Sequence, residues 1–556
     1  MVRENYNMKN WVRQHRIDLL FCVITLLQLG LLLYYGNEKA YFQGDETYTY
    51  GLSNSMGVPF LSADSDVWRT SQDYKDYVMV GSDERFRYDS VFANQAADVH
   101  PPLYYCFIHT VCSFFPDTFS KWYGIIPSMA FFLLTNCLLF YLSKRLFGNT
   151  LKSVLPAFIW GFSALGISMG LLIRMYMMQI FCIVLYTVVL YRLLMDKRKR
   201  DYFYVAVTVC LGFLTHYHFV IYAFLISAVF SLWLLYRKQF RDFLLFALSA
   251  GGGIAAGVLV FPPFFLQLTS TNRGEEAAAN IINLQNLCES WREYYRMVNR
   301  YVFGSQLKWI ALVLAALLLL MLLCSLLAKV KHKRRPEKAF YFQDMLQKRV
   351  LSENTRFLIA VTAVCVVYCL VVINLSELKQ IRYISGVIPL LLLAFSAASV
   401  SVLQYFVKHP NGVVVGIALY FAVLSYTAYR DHSLLYVYQD DEQLTAMEAY
   451  KEATGVIVFT SPNAAQQYNL CTMPLPCYMM LKETYQVDER ELEKLGSALE
   501  GKKDEQILVY VRKDAKDPNI MQKVLQNAGF RGYRIIPELS RGYTACNVYM
   551  LTNEVS

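Results

Sequence analysis

The chain has 556 residues, of which 56% are hydrophobic, 15% aromatic and only 17% charged. A water-soluble protein carries about a quarter charged residues, so this composition excludes an ordinary soluble fold over most of the length. The formal charge of +10 does not point to nucleic acid, because the cations cluster between apolar runs, which is the topology signal of a polytopic helical membrane protein.

Arg3, Lys9, Arg13 and Arg16 precede the first apolar run, residues 17–36. That run ends in Tyr34-Tyr35-Gly36 rather than at a small-residue cleavage site, so it reads as an uncleaved span with a cytoplasmic N-terminus. Residues 37–123 form a long outside loop. Within it, 101–116 is apolar but short, with Pro at both ends, and is predicted to lie at the interface or re-enter, which keeps Lys144 and Arg145 inside. Further spans are predicted at 124–143, 153–171, 175–194, 202–217, 219–236, 243–266, 307–328, 356–374, 383–405 and 412–429, about eleven in all. Lys197 to Arg200, Arg237, Lys238 and the basic stretch from Lys331 to Arg349 then fall inside, residues 267–305 form a second outside loop, and the C-terminus lies outside.

Residues 431–556 are more polar and carry short alternating or continuous apolar runs. Val456–Phe459, Ile507–Val511 and Cys546–Leu551 are predicted strands and Ile520–Ala528 a helix, giving a small extracytoplasmic α/β domain after a membrane domain of residues 1–430. The chain's 13 cysteines lie mostly inside apolar runs, where they act as small hydrophobes. Cys471, Cys477 and Cys546 lie in the C-terminal domain and leave room for one disulfide. No spacing marks a zinc site.

Polar residues interrupt the apolar frame at a few places, all on the predicted outer side. Asp45-Glu46 follows the first span near headgroup depth, where a carboxylate can act as general base toward a hydroxyl; a solvated loop pair is the plainer reading. His100-Pro101-Pro102 sets a histidine on a rigid backbone before a surface helix, where it could simply cap the helix. Arg174 and Tyr176 break an apolar hairpin, and an intramembrane ionisable residue is a functional candidate, snorkelling being the alternative. His216 and His218 share the next hairpin tip, with His216 the stronger candidate. Lys379, Arg382 and Tyr383 put cations in a short outer loop, against the usual bias, and guanidinium matches phosphate bidentately. Arg273, Arg292, Arg296 and Arg300 either add to this or balance Glu275, Glu276 and Glu293. Bases and phosphate-binding cations beside lipid suit group transfer from a lipid-linked phosphate.

Asp45-Glu46, His100-Pro101-Pro102-Leu103-Tyr104-Tyr105, Arg174-Met175-Tyr176, Thr215-His216-Tyr217 and Arg382-Tyr383 with Pro389 resemble, in order and spacing, the motifs of GT-C glycosyltransferases. The type is the protein O-mannosyltransferase and aminoarabinose transferase superfamily (glycosyltransferase family 39-like), over about residues 15–430. The resemblance implies a polyprenyl-phosphate-linked sugar as donor and inverting transfer to a glycan, lipid or protein on the outer face; the short loops and the lack of eukaryotic targeting features point to a bacterial plasma membrane. It makes Asp45 the base, with Glu46 orienting it or contacting the acceptor, and places His100, Arg174, Tyr176, His216, Lys379, Arg382 and Tyr383 at the donor phosphate. Relatives carry Gln-Glu-Ala where this chain has Leu171-Leu172-Ile173, so a carboxylate that could assist a divalent metal is missing; two carboxylates and two histidines leave a metal open. A transporter or flippase of polyprenyl-linked saccharides is the competing expectation, one that needs no carboxylate base and favours internal repeats.

Overall fold

The computed structural model describes residues 2–40, 42–60, 67–269, 287–332, 352–376, 378–437, 441–460, 475–482, 487–541 and 546–553. Arg273, Glu275, Glu276 and Cys471, together with the basic stretch beyond residue 332, lie outside them. Among the described residues, nine helices are long and apolar enough to cross a membrane. These are Gln14–Glu38, Trp122–Phe147, Tyr176–Asp196, Tyr217–Tyr236, Phe240–Val260, Leu307–Cys324, Glu353–Leu375, Ser385–Phe406 and Pro410–Arg430.

Two of the expected spans differ in form. Residues 153–171 make a pair of helices, Leu155–Phe162 and Ala164–Leu171, bent by 62°. The bend falls at Ser163, whose hydroxyl accepts from Gly166 N–H at 3.0 Å and so starts the second helix. Residues 202–217 contribute Arg200–Phe213, a helix of 14 residues, or about 21 Å at 1.5 Å per residue, short of the roughly 30 Å hydrocarbon core. The apolar segment after His100-Pro101-Pro102 is the 11-residue helix Leu103–Ser113, too short to span by the same measure.

The chain divides into two compact units: Met1–Tyr34, Val99–Tyr104 and Ile126–Leu435 form the first, and Tyr35–Asp98, Tyr105–Ile125 and Tyr436–Ser556 the second. The boundary therefore differs from the expected one at residue 430, because the first predicted outside loop folds with the C-terminal segment.

In the first unit, Tyr176–Asp196 is the most enclosed of the spans and is apolar all round, as a buried helix should be. Interior amides are satisfied across helices: Gln28 Nε2 donates to the Ala157 carbonyl at 3.1 Å and Asn136 Nδ2 to Gln28 Oε1 at 2.9 Å. Such bonds tie membrane helices together where the hydrophobic effect cannot. The basic clusters at the helix ends are paired, with Lys144 on Asp18 and Arg192 on Asp201, both at 2.7 Å.

The second unit is built on a six-stranded sheet in the order β1-β3-β2-β4-β6-β5. Its strands are β1 (Trp68–Thr70), β2 (Thr454–Phe459), β3 (Cys477–Lys482), β4 (Ile507–Arg512), β5 (Gly532–Ile535) and β6 (Cys546–Thr552). The central strands β3, β2 and β4 are parallel, and both faces are covered, which is why β2 and β4 read as continuous apolar runs. Helices Glu489–Leu499 and Ile520–Ala528 pack Leu492, Leu495, Leu499 and Val524 on one face, while Ala446 and Tyr478 lie in the core of the other. At the edge, β1 comes from the early loop and pairs antiparallel with β3, Trp68 opposite Met479. Cys477 and Cys546 are free thiols.

Gly496 lets the two sheet-covering helices pack tightly: a Cβ there would lie 2.3 Å from the Asn527 carbonyl oxygen. Gly496→Ala is expected to push the helices apart and destabilise the second unit by about 1–3 kcal/mol, the usual cost of overpacking, read as a lower thermal unfolding temperature.

Candidate active site

Three breaks in helical structure bring the expected cationic residues of the first unit together. The first is residues 172–175, between Ala164–Leu171 and Tyr176–Asp196, which carries Arg174. The second is the turn before Tyr217–Tyr236, where His216 is the N-cap. The third is the short turn Ile381–Tyr383, stabilised by Ser385 Oγ donating to the Arg382 carbonyl at 2.7 Å. His100 joins them because the Leu103 N–H donates to the Leu214 carbonyl at 3.0 Å, fixing the His-Pro-Pro segment on the second turn.

The rings then interlock. His216 lies 5.6 Å from His100, 5.3 Å from Tyr176 and 4.6 Å from His218 between ring centroids. Tyr383 stands 6.1 Å from Tyr176 and 5.8 Å from His218. The Arg382 guanidinium carbon sits over both phenol rings, 5.3 Å from the Tyr176 centroid and 5.6 Å from that of Tyr383, a cation–π arrangement that holds the plane of the donor fork. Arg174, His216 and Arg382 are all buried. Behind them, Gln179 Nε2 donates to Tyr368 Oη at 3.2 Å and Tyr368 Oη donates to the Tyr383 carbonyl at 3.1 Å, which fixes the third turn to two spans.

The hydrogen bonding of His216 defines its tautomer. Its Nδ1 accepts from the His218 backbone N–H at 3.0 Å, so a neutral ring carries its proton on Nε2 and offers an N–H donor. Burial holds its pKa well below the ordinary value, and His218, His100, Arg174 and Arg382 lower it further. Helices Tyr176–Asp196 and Tyr217–Tyr236 also both begin at this cluster, which puts two positive dipole ends there.

Lys379 does not join. Its ammonium donates to the Ser376 carbonyl and, at 3.4 Å, to that of Ile373, covering the orphan carbonyls at the C-terminus of Glu353–Leu375. The expected phosphate role thus gives way to a helix cap. The helix Leu287–Phe303, with Arg292, Arg296 and Arg300, carries a buried tyrosine that sequence reasoning passed over. Tyr294 is buried, and the phenols of Tyr383 and Tyr176 act on it electrostatically after burial itself in raising its pKa. Its only sequence signal is a place on the apolar face of an amphipathic helix, which any core residue shares.

Asp45 and Glu46 belong to the second unit and occupy the first turn of α2 (Gly44–Asn54). Asp45 is half-buried, whereas Glu46 is enclosed. One Glu46 oxygen lies 2.9 Å and the other 3.1 Å from Lys39 Nζ, and the carboxylate also accepts from Gln43 N–H at 2.7 Å. Of the two expected roles of Glu46, orientation fits this geometry and contact with an acceptor does not. Tyr48 lies one turn on from Asp45; burial, Asp45 and Asp98 push its phenol up to about 12. Among the described residues no group of three or more His, Cys, Asp or Glu gathers to hold a metal ion.

Residues 99–265 match the family model described as dolichyl-phosphate-mannose-protein mannosyltransferase. The likeness to that family covers under a third of the 556 residues. The matched segment contains His100, Arg174, Tyr176, His216 and His218; Asp45, Glu46, Arg382 and Tyr383 lie outside it. Among solved structures, that of ArnT from Cupriavidus metallidurans in the apo state is similar at 11% identity and a TM-score of 0.49, over 98% of each chain. The structure of ArnT from Cupriavidus metallidurans bound to undecaprenyl phosphate is similar at 12% identity and a TM-score of 0.48, over 98% of this chain and 99% of that one. A search of curated proteins finds no match.

The pKa of His216 has a testable consequence. An unfolded histidine takes up a proton near pH 6.5, but the folded His216 does so only at lower pH, so between the two values the unfolded state binds more protons and stability rises with pH. His216→Asn keeps a capping acceptor and removes the titration. Thermal unfolding in detergent is expected to show a steeper loss of stability from pH 7 to pH 5 in the wild type than in His216→Asn.

Proposed function

We propose that this protein is a membrane-embedded glycosyltransferase that moves a sugar from a polyprenyl-phosphate donor to an acceptor hydroxyl or amine on the outer face of the plasma membrane, with inversion at the anomeric carbon. The observation that carries the reading is the buried cluster of Arg174, Arg382 and a neutral His216 whose free N–H is a donor. Two guanidiniums, an imidazole N–H and two helix N-termini form a site for a phosphate monoanion or diester. ArnT, to which the chain is similar, has been solved with undecaprenyl phosphate, a ligand of that chemistry.

In the proposed reaction Asp45 removes the proton from the acceptor as its oxygen or nitrogen attacks the anomeric carbon. The bond from that carbon to the phosphate oxygen breaks, and its electron pair stays on the phosphate. Arg174, Arg382 and the Nε2–H of His216 stabilise the charge that develops there, with the Tyr176 and Tyr383 rings fixing the Arg382 plane. Because phosphate is a good leaving group, no acid is needed on the departing oxygen. Glu46 orients Asp45 from inside the fold, and the N-terminus is assigned to the cytoplasm and the C-terminal domain to the outer side.

Two variants separate the roles. Asp45→Asn is expected to transfer sugar from a radiolabelled polyprenyl-phosphate sugar pool in membranes at least a hundredfold more slowly while binding undecaprenyl phosphate as the wild type does. Arg382→Met is expected to weaken undecaprenyl phosphate at least tenfold. Unchanged transfer by Asp45→Asn at matched expression would remove the base from the mechanism.

A further inference from the structure

The start of α2 is held by a buried network reaching Tyr436, where the C-terminal segment of the second unit begins. Lys39 and Glu46 have side chains with 0% exposure each. The Lys39 ammonium also donates to the Tyr436 carbonyl, and the neighbouring Ala40 N–H donates to the Val437 carbonyl at 3.0 Å. Lys121 Nζ donates to the Lys39 carbonyl at 2.7 Å. At the next turns of α2, the Tyr50 phenol donates to the Ser120 or Lys121 carbonyl, each at 3.1 Å, and accepts from Gly124 N–H at 2.9 Å. A second tether lies in the sheet, where β1 from the same early loop pairs with β3 of the C-terminal segment.

We infer that Lys39 is a positioning residue for Asp45, and that the segment entering the C-terminal α/β domain at Tyr436 is part of the same device. The inference rests on the reading of Asp45 as the base. A buried ammonium needs a counter-charge and further acceptors; here Glu46 supplies the charge and Tyr436 supplies a carbonyl from a residue 397 positions away. The Glu46 carboxylate simultaneously accepts from Gln43 N–H, so the first turn of α2, in which Asp45 is the adjacent residue, is set by where Lys39 sits. The C-terminal domain thereby acts on catalysis by fixing the backbone of the base, without contributing an atom to the reaction. Positional errors of about 1 Å in a catalytic group cost around a hundredfold in rate, so loosening this anchor should show in turnover before it shows in binding.

The experiment uses full-length protein in detergent or lipid nanodiscs and compares Lys39→Met, Glu46→Gln and the double variant Lys39→Met/Glu46→Met, with Asp45→Asn in parallel. Undecaprenyl phosphate affinity reports an intact fold and site, and turnover is measured on the polyprenyl-phosphate sugar pool. The expected result is at least a tenfold fall in kcat for each single variant, with undecaprenyl phosphate affinity within twofold of wild type. The double variant, which refills the space with apolar groups, should recover the unfolding temperature but not kcat, and its loss should be smaller than the product of the two single losses. Wild-type kcat in the double variant would reduce the pair to packing and overturn the inference, as would kcat and affinity falling together in all three. An active Asp45→Asn would instead sink the base assignment. An inactive Asp45→Asn beside fully active pair variants would sink only the positioning role.

Discussion

A charge removed from water must find compensation inside the protein, and this requirement organises both halves of the chemistry. An ion pair that loses one buried partner destabilises a fold by about 3–5 kcal/mol. Lys39 and Glu46, both fully enclosed, therefore dictate the local path of the chain after α1 (Val2–Glu38), because each must keep its acceptors or donors. In the first unit the same constraint draws Arg174 and Arg382 into a shell of aromatic rings and imidazoles, an environment that accepts a cation.

The cluster is made possible by irregular backbone. Lipid-exposed chain must satisfy its own amides, so non-helical breaks survive at membrane depth only where protein encloses them or a cavity needs them. The breaks at 172–175, before Tyr217 and at Ile381–Tyr383 are of this kind: Arg174, His216 and Arg382 at them are buried. Two of the breaks start a long helix, Tyr176–Asp196 and Tyr217–Tyr236, so the backbone contributes two positive helix ends to the same place that receives the guanidiniums. His216 shows the economy of this design, since one ring nitrogen starts a helix while the other remains a donor.

The second unit adds a different principle. A three-residue strand from the early loop and a single lysine reach into the C-terminal segment, so the chain's polar tail is integral to the turn that bears Asp45. Parallel central strands covered on both faces make a stiff body, and stiffness is what the base we propose at Asp45 would require.

Local physics made much of this legible in the sequence. Continuous apolar runs fix the spans and the buried strands β2 and β4, because burial on all sides leaves no polar face to interrupt the pattern. Arg174 and Arg382 stand out because an ionisable residue amid apolar neighbours is expensive and so has a reason to be there. Short helices escaped: the bend at Ser163 and the 14-residue helix Arg200–Phe213 have the composition of spans without their length. Lys379 looked like a phosphate ligand because a sequence gives charge and not direction; only the fold turns it back onto the carbonyls of the preceding helix. Tyr294 was hidden on an ordinary amphipathic face. The partner of Lys39 lies 397 residues away, and β1 is too brief to carry a period. The sequence by itself determined which segments leave water and which side chains are costly there, since both follow from composition over a few turns. Tertiary structure alone decided which costly side chains meet and which are merely capped or paired, since that depends on contacts that no local pattern encodes.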